Sequence, residues 1–163
     1  MPESLLDRAP GEPIAAGDLL LQPVSATLAA ELTARDFHQV KLGDGWPHED
    51  SLDGLGMVAA GRALGWLVTL DGLVVGECGT HGLTDGVTLV EIGYGLAAPV
   101  RGRGYGRELV RALSAWLLGQ PGVTGLLAHT DPDNTPSRRS LESAGFHSEG
   151  MEDGECRYLR YPG

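Results

Sequence analysis

The chain has 163 residues, 42% of them hydrophobic and 21% charged, which suits one globular domain with a packed core and excludes a fibre or a disordered chain. Its formal net charge of −10 argues against nucleic acid or an anionic membrane as partner, since both require a surplus of Lys and Arg. No window reaches the ~20 apolar residues of a membrane span, and no basic start followed by an apolar run marks a secretory leader, so a soluble, cytoplasmic protein is expected.

Residues 1–17 contain Pro2, Pro10, Gly11, Pro13 and Gly17 and show neither helical nor strand period, so they are read as a flexible tail ahead of a single domain over 18–163. Asp18 to Val24 is Leu-rich and reads as a first strand. Ser25-Ala26-Thr27 then opens a helix whose apolar positions include Leu28 and Leu32. The Gly-rich, acidic stretch 36–53 holds Trp46-Pro47 and reads as a loop or broken helix.

Leu64, Trp66, Val68 and Leu70 alternate ahead of Asp71-Gly72, a hairpin turn signal, and Leu73 to Thr80 returns as the partner strand. A turn at Thr84-Asp85-Gly86 leads to the fourth expected strand, Val87 to Ala97. A Gly-rich turn from Val100 to Gly106 follows, then a helix with Leu109, Val110, Leu113, Trp116 and Leu117 on one face. Val123 to Thr130 reads as a buried strand, Pro136 opens a short helix closed by Gly145, and two final strands flank Asp153-Gly154. This order predicts a mixed α/β layer architecture in which one strand–helix–strand crossover joins antiparallel neighbours.

Cys78 and Cys156 stand far apart, outside any C-x-x-C pair or His cluster, so they read as small core residues and no metal is expected. The basic residues are uneven: Arg101, Arg103, Arg107, Arg111, Arg138 and Arg139 are half of the twelve. They suggest one compact anion site on an acidic body.

A glycine-rich turn at a helix N-terminus offers unpaired N–H groups and the positive end of the helix dipole. Gly102, Gly104 and Gly106 meet that need, and Arg101, Arg103 and Arg107 add charge-assisted donors. The dinucleotide fingerprint fails because Arg107 stands three residues after Gly104, and a Walker loop fails because no Gly-Lys-Ser/Thr follows.

The remaining spelling, Arg101-Gly102-Arg103-Gly104-Tyr105-Gly106, resembles the pyrophosphate-binding motif of the GCN5-related N-acetyltransferases. About thirty residues on, Asn134-Thr135-Pro136-Ser137 and the run to Gly145-Phe146 are similar to the Asn-x-x-Ser…Gly-Phe segment of the RimJ/RimL-like, ribosomal-protein branch. Glu91-Ile92-Gly93-Tyr94 also looks like that branch, and the resemblance spans roughly Asp18 to Tyr161.

The resemblance implies a mostly antiparallel sheet flanked by helices, with room for a second helix after the first. It also implies acetyl-coenzyme A as cosubstrate and an amine acceptor, either a protein N-terminus or a small molecule, in a monomer or homodimer. The fourth strand would splay from the fifth near Tyr94 to Ala97, leaving Gly95, Leu96 and Ala97 to pair with pantetheine. The loop from Arg101 through Gly102, Arg103, Gly104, Tyr105 and Gly106 to Arg107 would hold the pyrophosphate, and Asn134 and Ser137 would also contact the cofactor.

Many members use a Tyr seven residues after the motif Asn to protonate the leaving thiolate, and here that position is Leu141. Ser137 is then the proton donor by resemblance, or a structural residue at the helix start. For the base that takes the amine proton, Glu91 is the first choice, with Glu77, His81 and His129 as further options. The acidic residues Asp36, Asp44, Glu49, Asp50 and Asp53 either draw a cationic acceptor or form a solvated loop. Trp46 and Trp66 line the acceptor pocket or fill core, core being favoured for Trp66. The rival to catalysis is a protein of the same fold that binds coenzyme A or an acyl-coenzyme A as a sensor.

Overall fold

Two Asp-Gly pairs set the hairpins of the sheet. Asp71 and Gly72 have φ of 52° and 80°, and Asp153 and Gly154 have 52° and 83°, the left-handed pair that a tight hairpin turn requires and that Asp and Gly tolerate. In the computed structural model, which describes residues 5, 11–83 and 89–162, they join β3 (Gly65–Leu70) to β4 (Leu73–Thr80) and β7 (His147–Glu152) to β8 (Glu155–Arg160). The expected turn at Thr84-Asp85-Gly86 and the first two residues of the strand after it lie outside the described residues.

The remaining elements are β1 (Ile14–Ala16), β2 (Leu19–Pro23), α1 (Ala26–Thr33), α2 (Leu55–Ala59), β5 (Leu89–Leu96), α3 (Tyr105–Leu118), β6 (Gly125–Thr130) and α4 (Thr135–Ser143). The eight strands form one sheet in the order β1-β2-β3-β4-β5-β6-β8-β7. Each neighbouring pair is antiparallel except β5 and β6. That parallel pair is joined through α3, as the crossover predicts.

The expected tail needs one correction. Ile14–Ala16 is a strand, with Ile14 opposite Leu21 and Ala16 opposite Leu19 in β2. Three residues are too few to show a period, so the pairing is visible only once β2 is in place. Between α1 and α2 the acidic stretch is a loop tied to the sheet by a bridge from Leu42 to Val74, and α2 supplies the optional second helix.

Helix α1 starts where Ser25 Oγ accepts the Leu28 N–H at 3.1 Å, a side-chain cap for one of the orphan donors of the first turn. Helix α3 buries Leu109, Val110, Leu113 and Leu117 completely, contributing about 1.5–3 kcal/mol per side chain removed from water. Its Trp116 meets the fully buried Trp66 edge to face at 5.5 Å, so Trp66 fills core. Cys78 and Cys156 are free and buried.

Candidate active site

The parallel pairing of β5 with β6 stops at Glu91 and Leu127, while β5 continues against β4 as far as Leu96 opposite Gly76. The edge of β5 from Ile92 to Leu96 thus loses its β6 partner, and the splay opens nearer the start of the strand than the expected Tyr94. A cleft of about 1300 Å³ follows this edge. Gly102, Gly104, Gly106 and Arg107 from the start of α3 and Arg139 from α4 line it, as do His48, Asp50 and Asp53 from the loop before α2, Glu77 from β4 and His81 just after it; Tyr94, Asn134 and Ser137 lie on the wall as well.

The glycine-lined stretch of the wall is shaped for an anion. Gly102 and Gly104 have φ of 79° and 82°, where a Cβ would be strained. A Cβ on Gly106 would come within 2.9 Å of Ser140 Oγ, so glycine there lets α3 and α4 approach closely. The first turn of α3 leaves N–H groups without intrahelical acceptors at the positive end of its dipole, and Arg107 and Arg139 stand on the same wall. This cradle suits the pyrophosphate of a coenzyme, as the loop spelling implies.

Not every expected cofactor residue belongs to the wall. Gly95, Leu96, Arg101, Gly102, Gly104, Gly106, Arg107, Asn134 and Ser137 line the cleft, whereas Ala97, Arg103 and Tyr105 do not. Ala97 is fully buried, its N–H donated to Val75 O at 2.7 Å and its carbonyl accepting from Val100 N–H at 3.1 Å, so its N–H is already engaged within the sheet. Arg101 donates from Nε to Leu96 O at 2.8 Å and braces the strand end. Of the second basic segment only Arg139 reaches the cleft; Arg138 donates to Tyr158 Oη and Pro132 O, each at 3.2 Å. The resemblance had not pointed to Arg139, although the paired arginines could have.

Of the two glutamates, Glu77 lines the cleft and Glu91 does not. The pairing of Glu77 with Gly95 puts both on one face of the β4–β5 ladder, and a Cβ on Gly95 would collide with Glu77 Oε2. Trp46 Nε1 donates to Glu77 Oε1 at 3.0 Å, and His48 Nε2 lies 3.7 Å from the same oxygen. Burial pushes the Glu77 carboxyl up to about 7, against the opposing pull of hydrogen bonds from Trp46 and Ser51 and of the Arg101 charge. Trp46 is itself buried, edge to face with Phe37 at 6.4 Å. It is a core residue whose polar edge serves the site.

Glu91 is correctly placed on β5, but its carboxylate has other partners. Oε2 lies 2.9 Å from His129 Nδ1 on β6 and 3.4 Å from His81 Nδ1, and His129 Nε2 lies 3.1 Å from Glu152 Oε1 on β7. The hydrogen bond to Glu91, with a smaller one to Glu152, raises the His129 pKa above its ordinary value. Glu91 and His129 are absent from the cleft wall, which includes His81. They tie three strands together where the sheet splays.

At mid-wall, Asn134 Oδ1 caps α4 by accepting the Ser137 N–H at 3.2 Å. Ser137 Oγ lies 2.9 Å from Tyr94 Oη. Leu141 is 1% exposed and packs in the core, so the side chain replacing the family tyrosine belongs to the hydrophobic interior. Of the acidic stretch, Asp50 and Asp53 line the cleft, while Asp36, Asp44 and Glu49 do not. Among the described residues Glu31, Asp36 and His38 bring metal-ligand atoms within 4.8 Å of one another. His38 Nδ1 lies 2.7 Å from Asp36 Oδ1, a bond that accounts for that surface cluster.

A free strand edge, an anion cradle and a carboxyl that burial pushes up to about 7 share this one cleft. The chain belongs to the acetyltransferase (GNAT) domain family, whose model matches residues 18–147. It is 32% identical over 78 residues to the uncharacterized N-acetyltransferase p20 of Bacillus licheniformis, and 33% identical over 73 residues to the uncharacterized N-acetyltransferase YjdG of Bacillus subtilis. Those matches take in 48% and 45% of this chain and 44% of each relative, so the similarity spans less than half the length of the curated relatives.

Solved structures share the fold at lower identity. RimL, a ribosomal alpha-N-protein acetyltransferase in complex with coenzyme A, aligns with a TM-score of 0.66 at 16% identity, over 92% of this chain and 98% of its own. RimJ of Mycobacterium smegmatis gives 0.64 at 23%, over 92% and 86%. AAC(6')-Ib in complex with ribostamycin and coenzyme A gives 0.62 at 22%, over 88% and 93%.

Proposed function

We propose that this protein is an acetyl-coenzyme A-dependent N-acetyltransferase that acetylates a primary amine, on a protein N-terminus or a small molecule, by direct attack of the amine on the thioester. One observation carries the reading: Glu77, a carboxyl poised near neutrality, shares a cleft with a phosphate-type cradle along an unpaired strand edge. Bound acetyl-coenzyme A supplies the activated acyl group.

The chain's residues supply binding and proton handling. The N–H groups of the first turn of α3, with Arg107 and Arg139, hold the pyrophosphate. The free edge of β5 from Ile92 to Leu96 pairs with pantetheine and directs an N–H at the thioester oxygen. Asp50, Asp53 and Glu77 attract a cationic acceptor. An alkylamine with a pKa near ~10 must lose a proton before attack. Glu77 is the base for that proton, directly or through one water, because a pKa of about 7 keeps much of it ionised at neutral pH.

Calorimetry with acetyl-coenzyme A and desulfo-coenzyme A, on this protein and on Gly104→Glu, tests the reading. Micromolar binding that the variant loses supports the cradle and leads to a thiol-release screen of amines. Tight binding without turnover on any amine favours the sensor instead, and no binding defeats both.

A further inference from the structure

The acetyltransferase reading leaves open what assists departure of the sulfur, since Leu141 is buried in the core. Tyr94 of β5 and Ser137 of α4 meet on the cleft wall, 43 positions apart in the chain, with Tyr94 Oη 2.9 Å from Ser137 Oγ and 3.3 Å from the Ser137 carbonyl oxygen. Asn134 fixes the helix start on which Ser137 sits, through its 3.2 Å bond from the Ser137 N–H.

A serine hydroxyl has one hydrogen to donate and two lone pairs. In the first turn of a helix that hydrogen commonly turns back on the local backbone. We propose that Tyr94 is a positioning residue for thiolate departure: it donates its phenol hydrogen to Ser137 Oγ, so that the serine's own hydrogen is directed at the thioester sulfur. The dyad thus does the work of the tyrosine that position 141 lacks, and this proposal rests on the acetyltransferase reading.

The bookkeeping of the step is simple. Glu77 passes the ammonium's first proton on to solvent before attack; the neutral amine nitrogen then forms its bond to the acyl carbon, and its second proton passes to the freed Glu77 carboxylate. The C–S bond breaks with its electron pair on sulfur, and the thiolate accepts a hydrogen bond from Ser137 Oγ. Full transfer of the serine proton is unnecessary, because an alkyl thiol has a pKa near ~8.5 and the thiolate takes its proton from solvent on release. A donor chain of two hydroxyls polarises the terminal O–H and strengthens that bond. Burial raises the Tyr94 pKa above its ordinary value, so the phenol stays a donor at any working pH.

The test compares the unmodified protein with Tyr94→Phe, Ser137→Ala and the double variant. The thiol of bound coenzyme A is titrated by thiolate absorbance, and desulfo-coenzyme A affinity is measured in parallel. Stabilisation of the thiolate should make the bound thiol titrate about one unit lower in the unmodified protein than in Tyr94→Phe, a factor of about ten in equilibrium. Desulfo-coenzyme A should bind all four forms within about twofold, since only the sulfur is affected. In turnover, Tyr94→Phe should lower kcat about tenfold at nearly constant KM, and the double variant should be no slower than Ser137→Ala.

Equal thiol titration in the unmodified protein and Tyr94→Phe overturns the dyad alone. An equal loss of desulfo-coenzyme A affinity also overturns it, by showing Tyr94 to be a structural support. Failure of the unmodified protein to bind coenzyme A overturns the acetyltransferase reading along with it.

Discussion

Glu77 and Gly95 are partners in the β4–β5 ladder, and the space a side chain at 95 would need is taken by the Glu77 carboxylate. The obstacle is the far end of a flexible side chain, so Gly95→Ala should displace the carboxylate rather than the strand. Glu77 would then lose its bond from Trp46 and gain water. Its pKa should fall toward that of an ordinary carboxylate, and kcat should drop at least tenfold while the acidic limb of its pH profile moves to lower pH. The thermal midpoint should change little. A kcat equal to that of the unmodified protein would remove Glu77 from the mechanism.

Glu77 also makes stability depend on pH with a definite sign. Its folded pKa of about 7 exceeds the ordinary glutamate value of 4.5, so between those values the folded state holds a proton that the unfolded state has released. The stabilising contribution is complete below about pH 4.5 and is lost as pH rises through about 7. At pH 8 the buried charge costs on the order of 3 kcal/mol relative to a neutral isostere. Glu77→Gln keeps an oxygen for Trp46 and should therefore be more stable than the unmodified protein at pH 8 and similar to it at pH 4.5, as read by urea unfolding at the two pH values. The same variant should lower kcat about 10²-fold or more. A gain in stability that accompanies a loss of activity is the signature of a carboxyl kept buried for its chemistry.

The architecture could be read from the chain because each of its signals is local. Asp71-Gly72 and Asp153-Gly154 mark hairpins, the spacing of Leu109, Val110, Leu113 and Leu117 marks a buried helix face, and Arg101 to Gly106 marks an anion loop before a helix. The base could not be read so well. Glu77 and Glu91 both alternate onto the same face of the sheet, and sequence shows such parity without showing neighbours. Glu91 stands beside β6, where His129 takes its carboxylate; Glu77 stands opposite Gly95, whose missing side chain leaves room for the carboxylate. The Tyr94–Ser137 contact joins a strand to a helix across the splay, and no spacing rule reports it.

Glu91→Gln separates the two carboxylates experimentally. Its bond to His129 raises the histidine's folded pKa, so the protonated imidazole contributes stability that is full below the unfolded value near 6.5 and is lost as pH rises through the raised one. Glu91→Gln should therefore be more destabilising at pH 5.5 than at pH 9 in paired denaturant titrations. The acidic limb of kcat should remain in this variant and disappear in Glu77→Gln. Loss of that limb in Glu91→Gln would return the base to β5.

Restoring the family tyrosine should not restore its function. Leu141 is 1% exposed, in the same core as Phe146, Tyr158 and the apolar face of α3. Leu141→Tyr adds an aromatic ring and a hydroxyl to a filled site, and overpacking of that kind typically costs about 1–3 kcal/mol. An unpaired buried hydroxyl adds to the cost unless the helix rolls to bring it out. The expected result is a lower unfolding midpoint with kcat no higher than in the unmodified protein. Combining Leu141→Tyr with Ser137→Ala makes the comparison sharper: if the tyrosine reached the sulfur, it would rescue the serine deletion. No rescue is expected, because the hydroxyl that faces the sulfur in this chain comes from Ser137, supported from β5 by Tyr94.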